Sequence, residues 1–182
     1  MREYDLELWR KEVGVLFQDF VRYNMRVWEN IGLGNLDKLD DRPSVQNAAV
    51  LSGATGVVSR LQQGFDQMLG TMFRNGVNLS GGEWQKLALA RTYMREASLI
   101  ILDEPTAALD AQAEQRVFRQ FIDLTEAKSA LIISHRFSTV RMADRIVVLQ
   151  NGEIHEEGTH DELIGRKGLY SELFDLQAAG YR

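Results

Sequence analysis

Polar residues that could act on a phosphate group stand at the ends of three apolar runs in this chain. They are Gln18 after the first run, Asp103 and Glu104 after the second, and Ser134 and His135 after the third. A carboxylate such as Asp103 can hold Mg²⁺, which takes few protein ligands and keeps several waters. The adjacent Glu104 could orient or deprotonate an attacking water, and an imidazole could hydrogen-bond a terminal phosphate. These residue types predict chemistry on a nucleotide phosphate.

A second phosphate-binding feature is the stretch Ser80–Gly81–Gly82, which precedes an amphipathic segment. Ser80 and Glu83 fit the S-x-x-E capping box, so Ser80 is predicted to be the N-cap of a helix. The free backbone N–H groups and the positive end of such a helix favour an anion. The chain nevertheless contains no G-x-x-x-x-G-K-[ST] loop, the usual partner of a site of this kind.

Order and spacing distinguish these residues from isolated polar positions. Ser80 precedes Asp103 by one helix-length segment, and His135 follows Asp103 at the end of the next apolar run. Taken singly, an acid at a strand end is often a cap or a solvated turn, and a lone histidine is more often structural. We interpret His155 and His160 in that structural way.

The elements that must position these residues alternate between strands and helices. The predicted strands are Val13–Gln18, Leu99–Asp103, Ala130–Ser134 and Ile146–Leu149, and the last three are expected to be fully buried. Two short helices broken at Gly53 are expected over Pro43–Gln63. A hairpin is expected at Asn151–Gly152 and a final helix at Gly168–Ala178. Another helix is expected after Asp110, with these residues on one side: Ala113, Val117, Phe121 and Leu124. This alternation predicts an α/β fold with a mostly parallel sheet, interrupted by a helical block.

Composition excludes several classes of protein. Hydrophobic residues make up 45% of the chain, which is enough for a globular core, and the net charge of -5 argues against binding nucleic acid. The chain has no cysteine and no apolar run long enough to span a bilayer, so neither a disulfide scaffold nor a membrane span is expected.

The motifs together resemble the nucleotide-binding domains of ATP-binding cassette (ABC) transporters, of the exporter type, over essentially the whole chain. The matching stretches are "VLFQD" for the Q-loop, "LSGGEWQK" for the signature, "LIILDEP" for Walker B, "AALD" for the D-loop and "ISH" for the switch histidine. The resemblance implies a RecA-like, P-loop NTPase-like fold with an inserted helical subdomain. It assigns residues 1–30 and 96–182 to the core and residues 31–95 to the subdomain.

The resemblance also implies roles for individual residues, with ATP and Mg²⁺ as cofactors. Glu104 and His135 would be catalytic, and Asp103 and Gln18 would contact the metal. The implied cofactor-binding residues are Ser80, Gly81, Gly82, Gln85 and Asp110. In this family two cassettes sandwich two ATP molecules head to tail, so Ser80–Gly82 would serve the nucleotide of a second cassette. Gln18 would relay the state of the metal or attacking water to a transmembrane domain. That domain would hold this otherwise soluble chain at the cytoplasmic face of a membrane.

The main departure from the family pattern is the missing Walker A loop. We therefore expect an N-terminally truncated, incomplete cassette whose sheet exposes an apolar patch and which does not hydrolyse ATP by itself. The leading hypothesis is the ATP-binding and ATP-hydrolysing part of an export transporter. The alternative is a non-catalytic interaction module that offers its LSGG motif to a partner cassette.

A third hypothesis, the DNA-repair and chromosome-maintenance ATPases that share the signature, is less favoured. Those proteins place a long coiled coil between the Q-loop and the signature. Here the stretch between Gln18 and Ser80 contains no heptad repeat, and the chain as a whole is acidic.

Overall fold

A computed structural model describes residues 5–105, 122 and 128–179. The chain divides into two compact units, Met1–Ile133 and Ser134–Arg182. This division follows contacts between residues and does not test the predicted assignment of residues 31–95 to a separate helical subdomain, which stays a prediction. None of the described helices is both long and apolar enough to cross a membrane.

The first unit contains a three-stranded parallel sheet. Its strands are β1 (Val13–Leu16), β2 (Leu99–Asp103) and β3 (Ser129–Ile133), in the order β1-β2-β3. Leu16 is opposite Leu102, and Asp103 is opposite Ile133. The predicted α/β class with a parallel sheet is confirmed, since buried parallel strands are rich in Val, Ile and Leu.

Among the described residues, one helix precedes β1, and four more lie in the long connection between β1 and β2. They are α1 (Leu6–Lys11), α2 (Val27–Gly32), α3 (Arg42–Leu51), α4 (Thr55–Val58) and α5 (Gly81–Met94), with 3₁₀ turns at Leu36–Lys38 and Gly64–Asp66. The chain reverses between α3 and α4 at Gly53, whose φ of 69° lies in the left-handed region that glycine tolerates. The predicted break at Gly53 is confirmed.

Helix α5 is the centre of the first unit's core. Seven of its apolar residues are buried: Trp84, Leu87, Ala88, Leu89, Ala90, Tyr93 and Met94. They pack with residues of α2 and α3 and with Ile100 and Leu102 of β2. Each large side chain that is fully removed from water stabilises the fold by about 1.5–3 kcal/mol, so this helix is firmly held.

Strand β3 is much more exposed than its sequence predicted. Leu131 is 51% exposed and Ile133 is 50% exposed. The prediction of a fully buried strand at Ala130–Ser134 is therefore wrong, because β3 pairs with β2 on one side and lies at the edge of the described sheet. Leu131 and Ile133 are exposed apolar side chains, and the expected apolar patch of an incomplete cassette stays a prediction.

The second unit consists of short elements around a small core. They are α6 (Phe137–Val140), β4 (Ile146–Gln150), β5 (Glu153–Gly158), α7 (His160–Arg166) and α8 (Leu169–Ala179). Ile146, Leu163 and Tyr170 are its buried apolar residues. The histidines outside the predicted site have ordinary places here: His155 lies in β5, and His160 Nδ1 is 2.9 Å from the Tyr170 hydroxyl.

Strand β4 does not join the parallel sheet among the described residues. It pairs antiparallel with β5 through a turn at Asn151 and Gly152, both with positive φ. The hairpin was predicted, but the prediction of a third fully buried strand at Ile146–Leu149 is wrong. Leu149 is 69% exposed, because one face of a two-stranded hairpin has little to pack against.

Candidate functional site

The start of α5 has the geometry that the capping box predicts. Ser80 is the N-cap, with φ -65° and ψ 162°, and its Oγ accepts a hydrogen bond from the Glu83 N–H at 3.4 Å. In return, Glu83 Oε2 accepts from the Ser80 N–H at 2.8 Å and from the Ser80 hydroxyl at 2.9 Å. The predicted N-cap and capping box are confirmed, and they fix the direction in which the helix begins.

Glu83 is the charged group beside this helix start. Its Oε1 accepts a hydrogen bond from Arg60 Nη2 at 2.6 Å. The hydrogen bond from the Ser80 backbone N–H lowers the pKa of Glu83 below its usual value, and the Ser80 hydroxyl and Arg60 add to this effect. A carboxylate and a guanidinium therefore flank the Ser80 position. No sequence signal links Arg60 to Glu83, which lie far apart in the chain.

The N–H groups of Gly81 and Gly82 stay available at the same helix start. Within the described residues neither of these groups has a hydrogen-bond partner, as expected for the first positions of a helix. A Cβ added at Gly81 would meet nothing within 4 Å, so the space in front of it is open. Two free donors at the positive end of a 14-residue helix can hold an anion.

Gln85 has a different position from the rest of the signature. It is 6% exposed, and its side-chain amide donates a hydrogen bond to the Pro105 carbonyl. Its Oε1 is buried with no partner among the described residues. Gln85 thus ties α5 to the chain just after Glu104, and its predicted contact with a cofactor stays a prediction.

The ends of β1 and β2 bring three of the predicted site residues to one edge of the sheet. Leu16 and Leu102 are opposite each other in the parallel strands β1 and β2. The exposed Gln18, two residues after Leu16, therefore follows its strand at the same edge of the sheet as Asp103 and Glu104. Functional groups gather outside the carboxyl ends of parallel strands. In the described part of the chain no three acidic or histidine residues cluster.

Glu104 has an unusual backbone conformation at this edge. Its φ of 46° lies in the left-handed region, and its N–H donates to the Ile133 carbonyl at 2.9 Å. A non-glycine residue there costs of order 1–3 kcal/mol and is common at functional sites. The strain sets Glu104 apart from an ordinary strand end.

The described structure does not test whether His135 and Asp110 join these residues. His135 belongs to the second unit, where its carbonyl accepts a hydrogen bond from Gln177 Nε2 at 3.1 Å. Asp110, and the helix positions predicted to follow it at Ala113, Val117, Phe121 and Leu124, lie outside the described residues. The roles assigned to His135 and Asp110 remain predictions.

A parallel sheet with acids at its strand ends and a capped, glycine-rich helix start is typical of nucleotide-binding α/β proteins. The family model described as "ABC transporter" matches residues 1–107, more than half of the chain. The chain belongs to the ABC transporter family.

Similar proteins include transport ATP-binding proteins. The chain is 43% identical over 173 residues to the subtilin transport ATP-binding protein SpaT of Bacillus subtilis, a match that covers 95% of this chain and 28% of that protein. It is 39% identical over 175 residues to the ATP-dependent lipid A-core flippase of Burkholderia orbicola (strain AU 1054), a match that covers 96% and 28%.

A solved structure is similar as well. The structure of a bacterial Atm1-family ABC exporter with ATP bound matches with a TM-score of 0.84 and 35% identity, over 93% of this chain and 29% of that one. The chain thus spans less than a third of the length of the relatives it matches.

Proposed function

We propose that this chain supplies the signature half of an ATP site to a second cassette, as the ATP-binding part of an exporter-type ABC transporter. The observation that carries the proposal is the helix start at Gly81 and Gly82, whose N–H groups have no hydrogen-bond partner among the described residues, with open space at Gly81. Membership of the ABC transporter family supports it independently.

Three residues at the sheet edge are proposed to serve the chain's own half of a site. Asp103 would hold Mg²⁺, Gln18 would contact the metal or the attacking water, and Glu104 would orient that water and accept its proton. Mg²⁺ would supply charge neutralisation on the phosphate oxygens. This assignment is supported by the position of the three residues, which follow the paired strands β1 and β2 at the same edge of the sheet.

The roles of His135 and Asp110 rest on the family alone. His135 would contact the terminal phosphate, and Asp110 would reach across the interface between cassettes. Export is proposed through a transmembrane domain that contacts the chain near Gln18, at the cytoplasmic face of a membrane.

Because these 182 residues contain no G-x-x-x-x-G-K-[ST] loop, we propose that they do not hydrolyse ATP by themselves. The backbone cradle and the lysine that hold the β- and γ-phosphates would come from the second cassette. At the site completed by Ser80–Gly82, the chain's contribution is then the pair of N–H donors and the positive helix end, while the three residues at the sheet edge would belong to the other site.

The test is association with an intact cassette of the same family that is blocked in hydrolysis. Sedimentation velocity should show a complex of the two chains with ATP and Mg²⁺ but none with ADP. Ser80→Arg should abolish the complex, because the side chain fills the open space and blocks the donors. Thr159→Arg is the matched control, since Thr159 and Glu162 form the same capping box at α7.

Two results would contradict the proposal. Association that is equally strong without nucleotide would favour the alternative, a non-catalytic interaction module. Equal loss of the complex in Ser80→Arg and Thr159→Arg would mean that any damaged cap weakens pairing. Circular dichroism melts of both variants check folding, since losing a cap costs about 1 kcal/mol.

A further inference from the structure

Arg91 is a charged residue on the inward face of α5. It follows Trp84, Leu87 and Ala88 at the spacing of one helix face, and those three residues are buried. Arg91 is itself partly buried, and burial lowers the pKa of its guanidinium below the usual value. A guanidinium still carries its charge under these conditions, so it needs polar partners.

The partners of Arg91 among the described residues are all uncharged. Its Nε donates to the Asn30 carbonyl at 3.0 Å, and one Nη donates to Asn30 Oδ1 at 3.2 Å. The other Nη donates to the Val21 carbonyl at 3.2 Å, and the guanidinium carbon lies 4.7 Å from the centre of the Tyr23 ring. One side chain on α5 thus contacts both α2 and the segment after Gln18.

Asn30 extends this contact further along the same segment. It is fully buried, and its Nδ2 donates to the Tyr23 carbonyl at 2.7 Å and to the Met25 carbonyl at 3.5 Å. Three alternate carbonyls, those of residues 21, 23 and 25, are therefore held by two side chains. We name Arg91, Asn30 and Tyr23 the arginine clamp.

Apolar burial contributes little to holding the segment between Gln18 and the clamp. Residues 17–19 and 21–24 are exposed, and only Phe20 packs partly against the core. The polar contacts of the clamp therefore restrain this stretch, together with the contact of Asn24 Nδ2 with Met72 Sδ at 3.4 Å and the hydrogen bond from the Leu69 N–H to the Met25 carbonyl.

The other end of the clamp is firmly anchored. A Cβ at Gly34 would lie 2.0 Å from the Arg91 carbonyl oxygen, so the turn after α2 and helix α5 approach closely at this point. Ser80 is eleven residues before Arg91, about 17 Å along one continuous helix. One continuous helix therefore joins Arg91 to the signature residues.

We propose that Arg91 is a positioning residue that holds the segment carrying Gln18 in a fixed arrangement with the signature helix. The functional value of this coupling rests on the proposed function, because only there do Gln18 and Ser80 both serve ATP sites. The physical coupling itself can be measured on the 182-residue chain without nucleotide.

The test uses a nitroxide spin label on the segment. The chain has no cysteine, so Asp19→Cys gives a single attachment point at an exposed position, and Gln46→Cys on α3 gives a control label. Arg91→Lys keeps the charge but cannot span three acceptors and a ring face. The rotational correlation time of the label at position 19 should fall by about threefold or more, while the label at position 46 is unchanged.

Arg95→Lys is the matched control variant. Arg95 also donates to a backbone carbonyl, but to that of Arg10 in α1. The Arg95→Lys substitution should leave the mobility of the label at position 19 unchanged. Equal loosening of both labels, or equal effects of Arg91→Lys and Arg95→Lys, would overturn the proposal, since a purely structural role predicts such general effects.

Two further outcomes are decisive. If Arg91→Lys does not fold, Tyr23→Leu replaces it, because Tyr23 is exposed and its loss removes only the ring contact. Increased mobility of the label at position 19 in Tyr23→Leu supports the clamp. An unchanged spectrum overturns it. If the label at position 19 becomes more mobile as expected but the wild-type chain shows no ATP-dependent pairing, the clamp is supported and the proposed function is contradicted.

Discussion

The two regions of the first unit that differ most are helix α5 and strand β3. Both are rich in apolar residues, yet Leu87 of α5 is completely buried and Leu131 of β3 is 51% exposed. Helix α5 packs against α2, α3 and β1, whereas β3 pairs with β2 on one side. The difference shows that an apolar pattern indicates which residues favour burial, while the neighbours available decide whether burial occurs.

This comparison predicts a large difference between two identical substitutions. Leu87→Ala should lower the free energy of unfolding by about 2–5 kcal/mol, because it removes buried methyl groups and leaves a cavity. Leu131→Ala should lower it by about 1 kcal/mol or less, since half of the side chain is already in water. Urea denaturation followed by circular dichroism measures both values.

The control is the denaturant dependence of unfolding, which should be the same in the wild type and both variants. Equal losses from Leu87→Ala and Leu131→Ala would break the comparison. That result would mean that β3 is covered in solution.

A smaller effect concerns the charge at the start of α5. Because the folded chain lowers the pKa of Glu83, its carboxylate stabilises the fold above the usual value of 4.5, and this contribution is lost as the pH falls through the lowered pKa. Glu83→Gln keeps the capping box but removes the charge. The wild type should be the more stable of the two at neutral pH, by about 1 kcal/mol or less, because Glu83 pairs with the exposed Arg60.

The measurement is a series of thermal melts of both proteins between neutral and strongly acidic pH. The advantage of the wild type should shrink on acidification and vanish below the lowered pKa. An advantage that stays constant across the series would show that the Glu83 charge does not strengthen the α5 region.

The sequence was sufficient where structure depends on near neighbours in the chain. The capping box of Ser80 and Glu83, the break at Gly53 and the hairpin at Asn151–Gly152 all follow from local hydrogen bonds and backbone preferences. The parallel strands at Val13 and Leu99 followed from their apolar runs.

The sequence was insufficient where the environment comes from distant residues. The exposure of β3 and β4 depends on which elements lie beside them, and the contact of Arg60 with Glu83 depends on the tertiary fold. Arg91 could have been recognised, because its spacing from Trp84 and Leu87 places a charge on the buried face of a helix. Its partners, Val21 and Asn30, could not have been predicted from the sequence, because the tertiary fold brings them to Arg91.

The most direct test of the account observes the N–H groups of Gly81 and Gly82 themselves. In a chain labelled with ¹⁵N-glycine, an intact cassette loaded with ATP should shift both amide proton resonances downfield, as hydrogen bonds to a phosphate form. The same cassette with ADP should leave them in place. Formation of the ATP-dependent complex with both resonances unshifted would contradict the claim that these two donors hold a neighbour's phosphate.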